Sequence, residues 1–127
     1  MKVIPTSLED CFVIEPKVFN DSRGFFLETF KYEDYKEKIG IEKDFVQDNH
    51  SRSSKGVLRG LHFQIKKPQG KLVRVSRGSV LDVAVDLRIK SRTFGKSELF
   101  ELSDANFRQL WIPPGFAHGF LALSEIA

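Results

Sequence analysis

Short apolar runs separated by single glycines and prolines recur along this chain, and most are too brief or too regularly alternating to be helices. Residues 12–14 (Phe-Val-Ile) and 24–30 (Gly-Phe-Phe-Leu-Glu-Thr-Phe) are expected as strands. The series continues at 57–64, 71–76, 79–87, 97–102, 108–112 and 119–123, with Arg77-Gly78 expected to close a hairpin between two of these runs. Residues 32–39, dense in Glu and Lys and followed by Gly40, are the one helical pattern. The order reads as a meander interrupted by one short helix near the N-terminus. Strands this short and regular point to an all-β, antiparallel jelly roll or barrel, architectures that cover or close their sheet edges.

The run Ser79-Val-Leu-Asp-Val-Ala-Val-Asp-Leu87 alternates in an informative way. One face carries Leu81, Val83, Val85 and Leu87; the other carries Val80, Asp82, Ala84 and Asp86. Two carboxylates on one strand face fit a barrel interior built for a polar ligand. They fit an ordinary solvent-facing strand equally well.

At 127 residues the chain is long enough for one domain with its own core, without disulfides or a structural metal. Cys11 is the only cysteine, so no intrachain disulfide can form and a cytoplasmic setting is the simplest expectation. No segment has the length and apolarity of a membrane span. Twenty Lys and Arg against seventeen Asp and Glu are spread along the chain instead of forming one block. Small anionic ligands are therefore favoured over a nucleic-acid surface.

The three histidines, His50, His62 and His118, form no close-spaced metal signature, so no metal is expected. His62 lies in Arg59-Gly-Leu-His-Phe-Gln64, with Lys71 beyond a Pro68-Gln-Gly70 turn. A base beside fixed cations suits enolisation: imidazole takes a proton next to a carbonyl, and the cations stabilise the oxyanion that develops. A surface strand with scattered charges is the bland alternative. Strict alternation would point Arg59 and His62 to opposite faces; a β-bulge at Gly60 would bring them to the same one. His118 follows the Pro113-Pro-Gly115 turn and is either aimed into a site or a core-edge residue. Asp21-Ser-Arg-Gly-Phe-Phe-Leu-Glu28 offers Arg23 for phosphate, Phe residues for stacking and Glu28 for a base edge. Gln47-Asp-Asn-His50 is polar and beside a strand, as either a ligand contact or a solvated turn.

Gly56-Val-Leu-Arg-Gly-Leu-His-Phe-Gln64, Gln69-Gly-Lys-Leu-Val-Arg-Val75 and Arg108-Gln-Leu-Trp-Ile-Pro-Pro-Gly-Phe-Ala-His-Gly-Phe120 resemble the dTDP-4-dehydrorhamnose 3,5-epimerase family, from near Ile4 to Ala127. The resemblance implies a cupin-type jelly-roll barrel. Where metal-binding cupins place two histidines this chain has His62-Phe-Gln64, in keeping with the family's chemistry, which uses no metal or cofactor. It implies a substrate, dTDP-4-dehydro-6-deoxy-D-glucose, inverted at C3 and C5 on the route to dTDP-L-rhamnose. His62 would be the base, with Lys71 and Arg59 at the enolate or the phosphates. Gln47 and Asn49 would contact the nucleotide, and His118 the substrate. Arg23, Glu28 and Phe26 would bind the nucleotide in part across a homodimer formed by strand exchange. The family also carries a catalytic Tyr, an Asp that orients the base and an aromatic that stacks on thymine, none of which has a counterpart before Ala127; the chain is therefore expected to be one domain, short of the family's C-terminal part. Alternatives on the same substrate are a mono-epimerase, a 3,4-ketoisomerase or a non-catalytic nucleotide-sugar binder.

Overall fold

The computed structural model describes residues 1–127 as ten strands and one helix. In chain order these are β1 (Lys2–Pro5), β2 (Phe12–Glu15), β3 (Val18–Asp21), β4 (Gly24–Leu27), α1 (Tyr32–Ile39), β5 (Leu58–His62), β6 (Lys71–Arg74), β7 (Ser79–Asp86), β8 (Ser97–Ser103), β9 (Gln109–Ile112) and β10 (Phe116–Ala122). Two four-stranded antiparallel sheets have the orders β1-β2-β9-β6 and β5-β10-β7-β8, and β3 and β4 pair as a separate hairpin. No helix is long and apolar enough to cross a membrane.

The expected jelly roll is present, but the meander is not. The turn at Arg77-Gly78 does not close a hairpin, because β6 and β7 lie in different sheets. Each strand with one apolar face needs a second sheet opposite it, and the chain meets that need by crossing between layers at this turn. Asp104 fixes the crossing: its carboxylate accepts the Gly78 N–H (2.8 Å), and its own N–H donates to the Gly78 carbonyl (3.0 Å). Strands β1 and β3 were not expected. β4 ends at Leu27 instead of Phe30, and β10 begins at Phe116, three residues before the expected start.

The core between the sheets draws Leu110 and Ile112 from one side and Val80, Ala84, Phe100, Leu102 and Phe116 from the other. Helix α1 occupies the expected residues and ends at Gly40, whose left-handed φ of 81° lets its N–H close back on Lys36. Its buried Tyr35 packs with Ile14, Ile41 and Trp111. The Tyr35 hydroxyl donates to Gln109 Oε1 (2.7 Å), and the Gln109 amide donates to the Thr29 carbonyl (2.8 Å), so the polar groups enclosed there are paired.

On β7 the carboxylate-bearing face is the buried one. Val80, Asp82, Ala84 and Asp86 are enclosed, while Leu81, Val83 and Val85 are half-buried. Asp86 tolerates this because Arg88, Ser91 and Thr93 all donate to it. Arg88 also reaches Asp10 (2.7 Å) and the Glu9 carbonyl (2.8 Å), fastening the loop after β7 to the stretch before β2.

Burial opposes ionisation of Asp86, yet the hydrogen bonds from Arg88, Ser91 and Thr93 outweigh it and hold the carboxyl well below the usual carboxylate range. A folded-state pKa below the unfolded one gives stability that is present above about pH 4 and is lost as pH falls further. Asp86→Asn should therefore destabilise the protein by on the order of 2 kcal/mol at neutral pH, with the gap from the native protein narrowing below about pH 4. Urea denaturation of both proteins across pH 2–7 checks this, and a gap constant with pH would contradict it.

Candidate active site

The site begins with the fit of two glycines. Along the β5–β10 pair, Arg59 sits opposite Phe120 and His62 opposite His118. Between these two pairs β5 advances three residues while β10 advances two, so β5 carries a one-residue bulge at Gly60-Leu61. Gly60 has a φ of 108°, and a Cβ there would lie 2.7 Å from the Gly119 Cα and the His118 carbonyl. A Cβ on Gly119 would in turn lie 2.6 Å from the Arg59 carbonyl. Only glycine at both places allows the strands to approach this closely.

The bulge restores parity. His118 also lies opposite Ala84, and Phe120 opposite Asp82, so Arg59, His62, His118 and Asp82 share one face of the β5-β10-β7-β8 sheet. β5 is an edge strand with all five residues exposed, which leaves His62 accessible. A small open cleft lies beside it, lined by His62, Phe63, Gln64, Gln69, Lys71 and Phe116 among others. Lys71 enters from the other sheet as the first residue of β6.

The same face holds a buried hydrogen bond. His118 is buried, and its Nε2 is 2.9 Å from Oδ2 of the fully buried Asp82. Burial pushes the Asp82 carboxyl up, against the hydrogen bond and charge of His118 and the charge of Lys71. Burial lowers Lys71, and the Asp82 charge partly restores it. A lysine poised in this way, beside an imidazole and a cleft, suits an anion that forms during a reaction. No three His, Cys, Asp or Glu side chains are grouped to hold a metal.

The other residues singled out in the sequence lie apart from the cleft within one chain. Arg59 shares the face of His62, but its guanidinium donates to Ser53 Oγ (2.9 Å) and the Arg52 carbonyl (3.1 Å). Gln47 donates to Asn49 Oδ1 (3.0 Å) in an exposed segment. Arg23 is tied to Asp21 (2.6 Å) in the β3–β4 turn, Phe26 is 70% exposed on β4, and Glu28 is exposed just after it. In the sequence Asp82 reads only as one of two carboxylates on a strand face that fits a polar-ligand interior or solvent equally well, with no role of its own. Its signal was present, since a carboxylate inside an otherwise apolar strand needs a partner.

Comparison with known proteins gives a consistent picture. The family model for dTDP-4-dehydrorhamnose 3,5-epimerase matches residues 5–127. The chain is 57% identical to the dTDP-4-dehydrorhamnose 3,5-epimerase of Shigella flexneri, an alignment covering 100% of this chain and 71% of that protein. Among solved structures, dTDP-6-deoxy-D-glucose-3,5-epimerase from Legionella pneumophila Philadelphia 1, in complex with dTDP-4-keto-L-rhamnose, is 54% identical with a TM-score of 0.95; the match covers 98% of this chain and 66% of that one. A 3'-monoepimerase from Streptomyces bikiniensis, in complex with dTDP-quinovose, is 34% identical with a TM-score of 0.89, covering 98% and 63%. The chain thus spans about two thirds of the length of these solved structures.

The glycine pair makes the bulge testable. Gly60→Ala should cost about 1–3 kcal/mol, the usual range for a strained backbone, and should shift the amide resonances of both His62 and His118. A variant of native stability with unchanged spectra would show that the bulge does not depend on Gly60.

Proposed function

The chain belongs to the dTDP-4-dehydrorhamnose 3,5-epimerase family, and on that premise we propose that its cleft inverts C3 and C5 of dTDP-4-dehydro-6-deoxy-D-glucose to give dTDP-4-dehydro-L-rhamnose. The observation that carries this reading is the bulge, which sets His62 on one face with Arg59, opposite His118 and beside Lys71 in one cleft. The C4 keto group acidifies the neighbouring C–H bonds. His62 takes the proton, the electron pair moves onto the carbonyl oxygen, and the Lys71 ammonium stabilises the enolate. Return of a proton to the opposite face completes each inversion, a step the family resemblance assigns to a tyrosine with no counterpart in residues 1–127. No cofactor or metal enters this scheme.

The remaining residues would hold the nucleotide. Arg59, Gln47, Asn49 and His118 would contact the diphosphate, base and sugar, with Arg23, Phe26 and Glu28 supplied by a second copy. Support for a homodimer comes from the hairpin: a two-stranded ribbon is marginal by itself, and this one exposes Phe19, Phe25 and Phe26. The cytoplasm is the compartment that suits a chain whose one cysteine, Cys11, is free and buried.

In deuterated water the substrate should gain deuterium at both C3 and C5, and His62→Asn should slow this exchange by about 10²–10⁴-fold. NMR of the recovered sugar checks both points. Deuterium at C3 alone would indicate a mono-epimerase, and dTDP binding by calorimetry without any exchange would indicate a binding protein.

Dimerisation is tested separately. Phe26→Asp should weaken self-association at least tenfold, a loss typical of removing an interfacial aromatic, as read by sedimentation velocity. A native protein that sediments as a monomer at every concentration would overturn the assembly.

A further inference from the structure

Asp82 poses a problem that the reaction scheme leaves unsolved. Its side chain is fully buried, one oxygen meets His118, and Oδ1 is enclosed with no hydrogen-bond partner. An ionised carboxylate has room for about four hydrogen bonds, and an orphaned buried oxygen is costly. Lys71 shows the reverse deficit: it is half-buried at the cleft and forms no ion pair within hydrogen-bonding distance of any carboxylate, although the field of Asp82 reaches it.

We propose that Asp82 is a positioning residue for the reaction, holding His118 through Oδ2 and serving the Lys71 ammonium through Oδ1, so that His62 faces a cation fixed in place and in charge. The proposal rests on the epimerase reading and adds to it. Asp82 touches no substrate. It acts through the register of three strands, with Ala84 on its own strand opposite His118, and His118 opposite His62. Lys71 must be an ammonium when the enolate forms, and its half-buried position works against that. A buried carboxylate behind it restores the charge without entering the cleft. The same carboxylate, by accepting from Nε2, sets neutral His118 to the Nε2–H tautomer.

Other charges near Asp82 are already engaged or neutral. Cys11, pushed up to about 12 by burial, remains a thiol. Glu98 on β8 is held by the N–H and hydroxyl of Ser7. Asp86, farther along the same face, is matched by Arg88, and Arg59 on β5 is tied to Ser53. His118 and Lys71 are the partners left to Asp82.

Asp82→Asn keeps the shape and an acceptor for His118 but removes the charge. NMR titration of Lys71 in this variant should give a midpoint about one pH unit lower than in the native protein, a tenfold change in the ammonium ratio. The alkaline limb of C3 and C5 deuterium exchange should move by the same amount, with KM little changed. A folded variant with an unmoved Lys71 midpoint overturns the proposal. If the variant does not fold, Lys71→Met provides the test: the Asp82 carboxyl must then titrate at higher pH than in the native protein, and an unchanged midpoint is equally fatal. Native protein that exchanges no deuterium while Lys71 still responds to Asp82→Asn would remove the epimerase reading and leave the charge link standing.

Discussion

Everything at the site depends on how closely two backbones approach. At Gly60 and Gly119 the β5 and β10 main chains come within a distance that no side chain could share. That contact absorbs the extra residue in β5 and turns a parity that would separate Arg59 from His62 into one that unites them. The histidine opposite His62 is then His118, and through it a side chain on an exposed edge strand is tied to a carboxylate on β7, a strand inside the sheet. A register slip of one residue would break this sequence of contacts at every strand, because side chains alternate with a period of two.

The two carboxylates of β7 lie on one buried face four residues apart and meet opposite fates. Asp86 is surrounded by donors and held low, and its role is to fasten a loop. Asp82 has a histidine on one oxygen, nothing on the other, and a carboxyl that burial pushes up. Environments that drive like groups apart in this way mark a division of labour. A fully satisfied network belongs to structure; an unsatisfied buried oxygen beside a cleft is what the proposed role of Asp82 accounts for.

What the sequence revealed follows from what periodicity can encode. The helix at 32–39 and most strands were legible, because each needs only local pattern and a glycine to end or bend it. Gly60 was readable as a bulge because alternation failed there by one residue. The alternation on β7 defined its two faces but not which was inside. The more apolar face turned out to be the more exposed, since Asp86 finds its partners in the loop that follows. The Arg77-Gly78 turn was misread as a hairpin for a related reason: a tight turn shows where the chain reverses, not which sheet it enters. Lys71 and His62 join in one cleft across the two sheets, a meeting that sequence spacing does not describe.

The same limit explains why Arg23, Phe26 and Glu28 stand away from the cleft. They lie on or just after a hairpin that pairs with neither large sheet and displays its phenylalanines to solvent. His62, too, lies on a strand exposed along its whole length, although an enolate is stabilised best where water is excluded. An apolar ribbon without a partner and an exposed edge strand without a cover are complementary deficits. If one copy's hairpin covers another copy's cleft, assembly and catalysis use the same surface, and neither can be altered without the other.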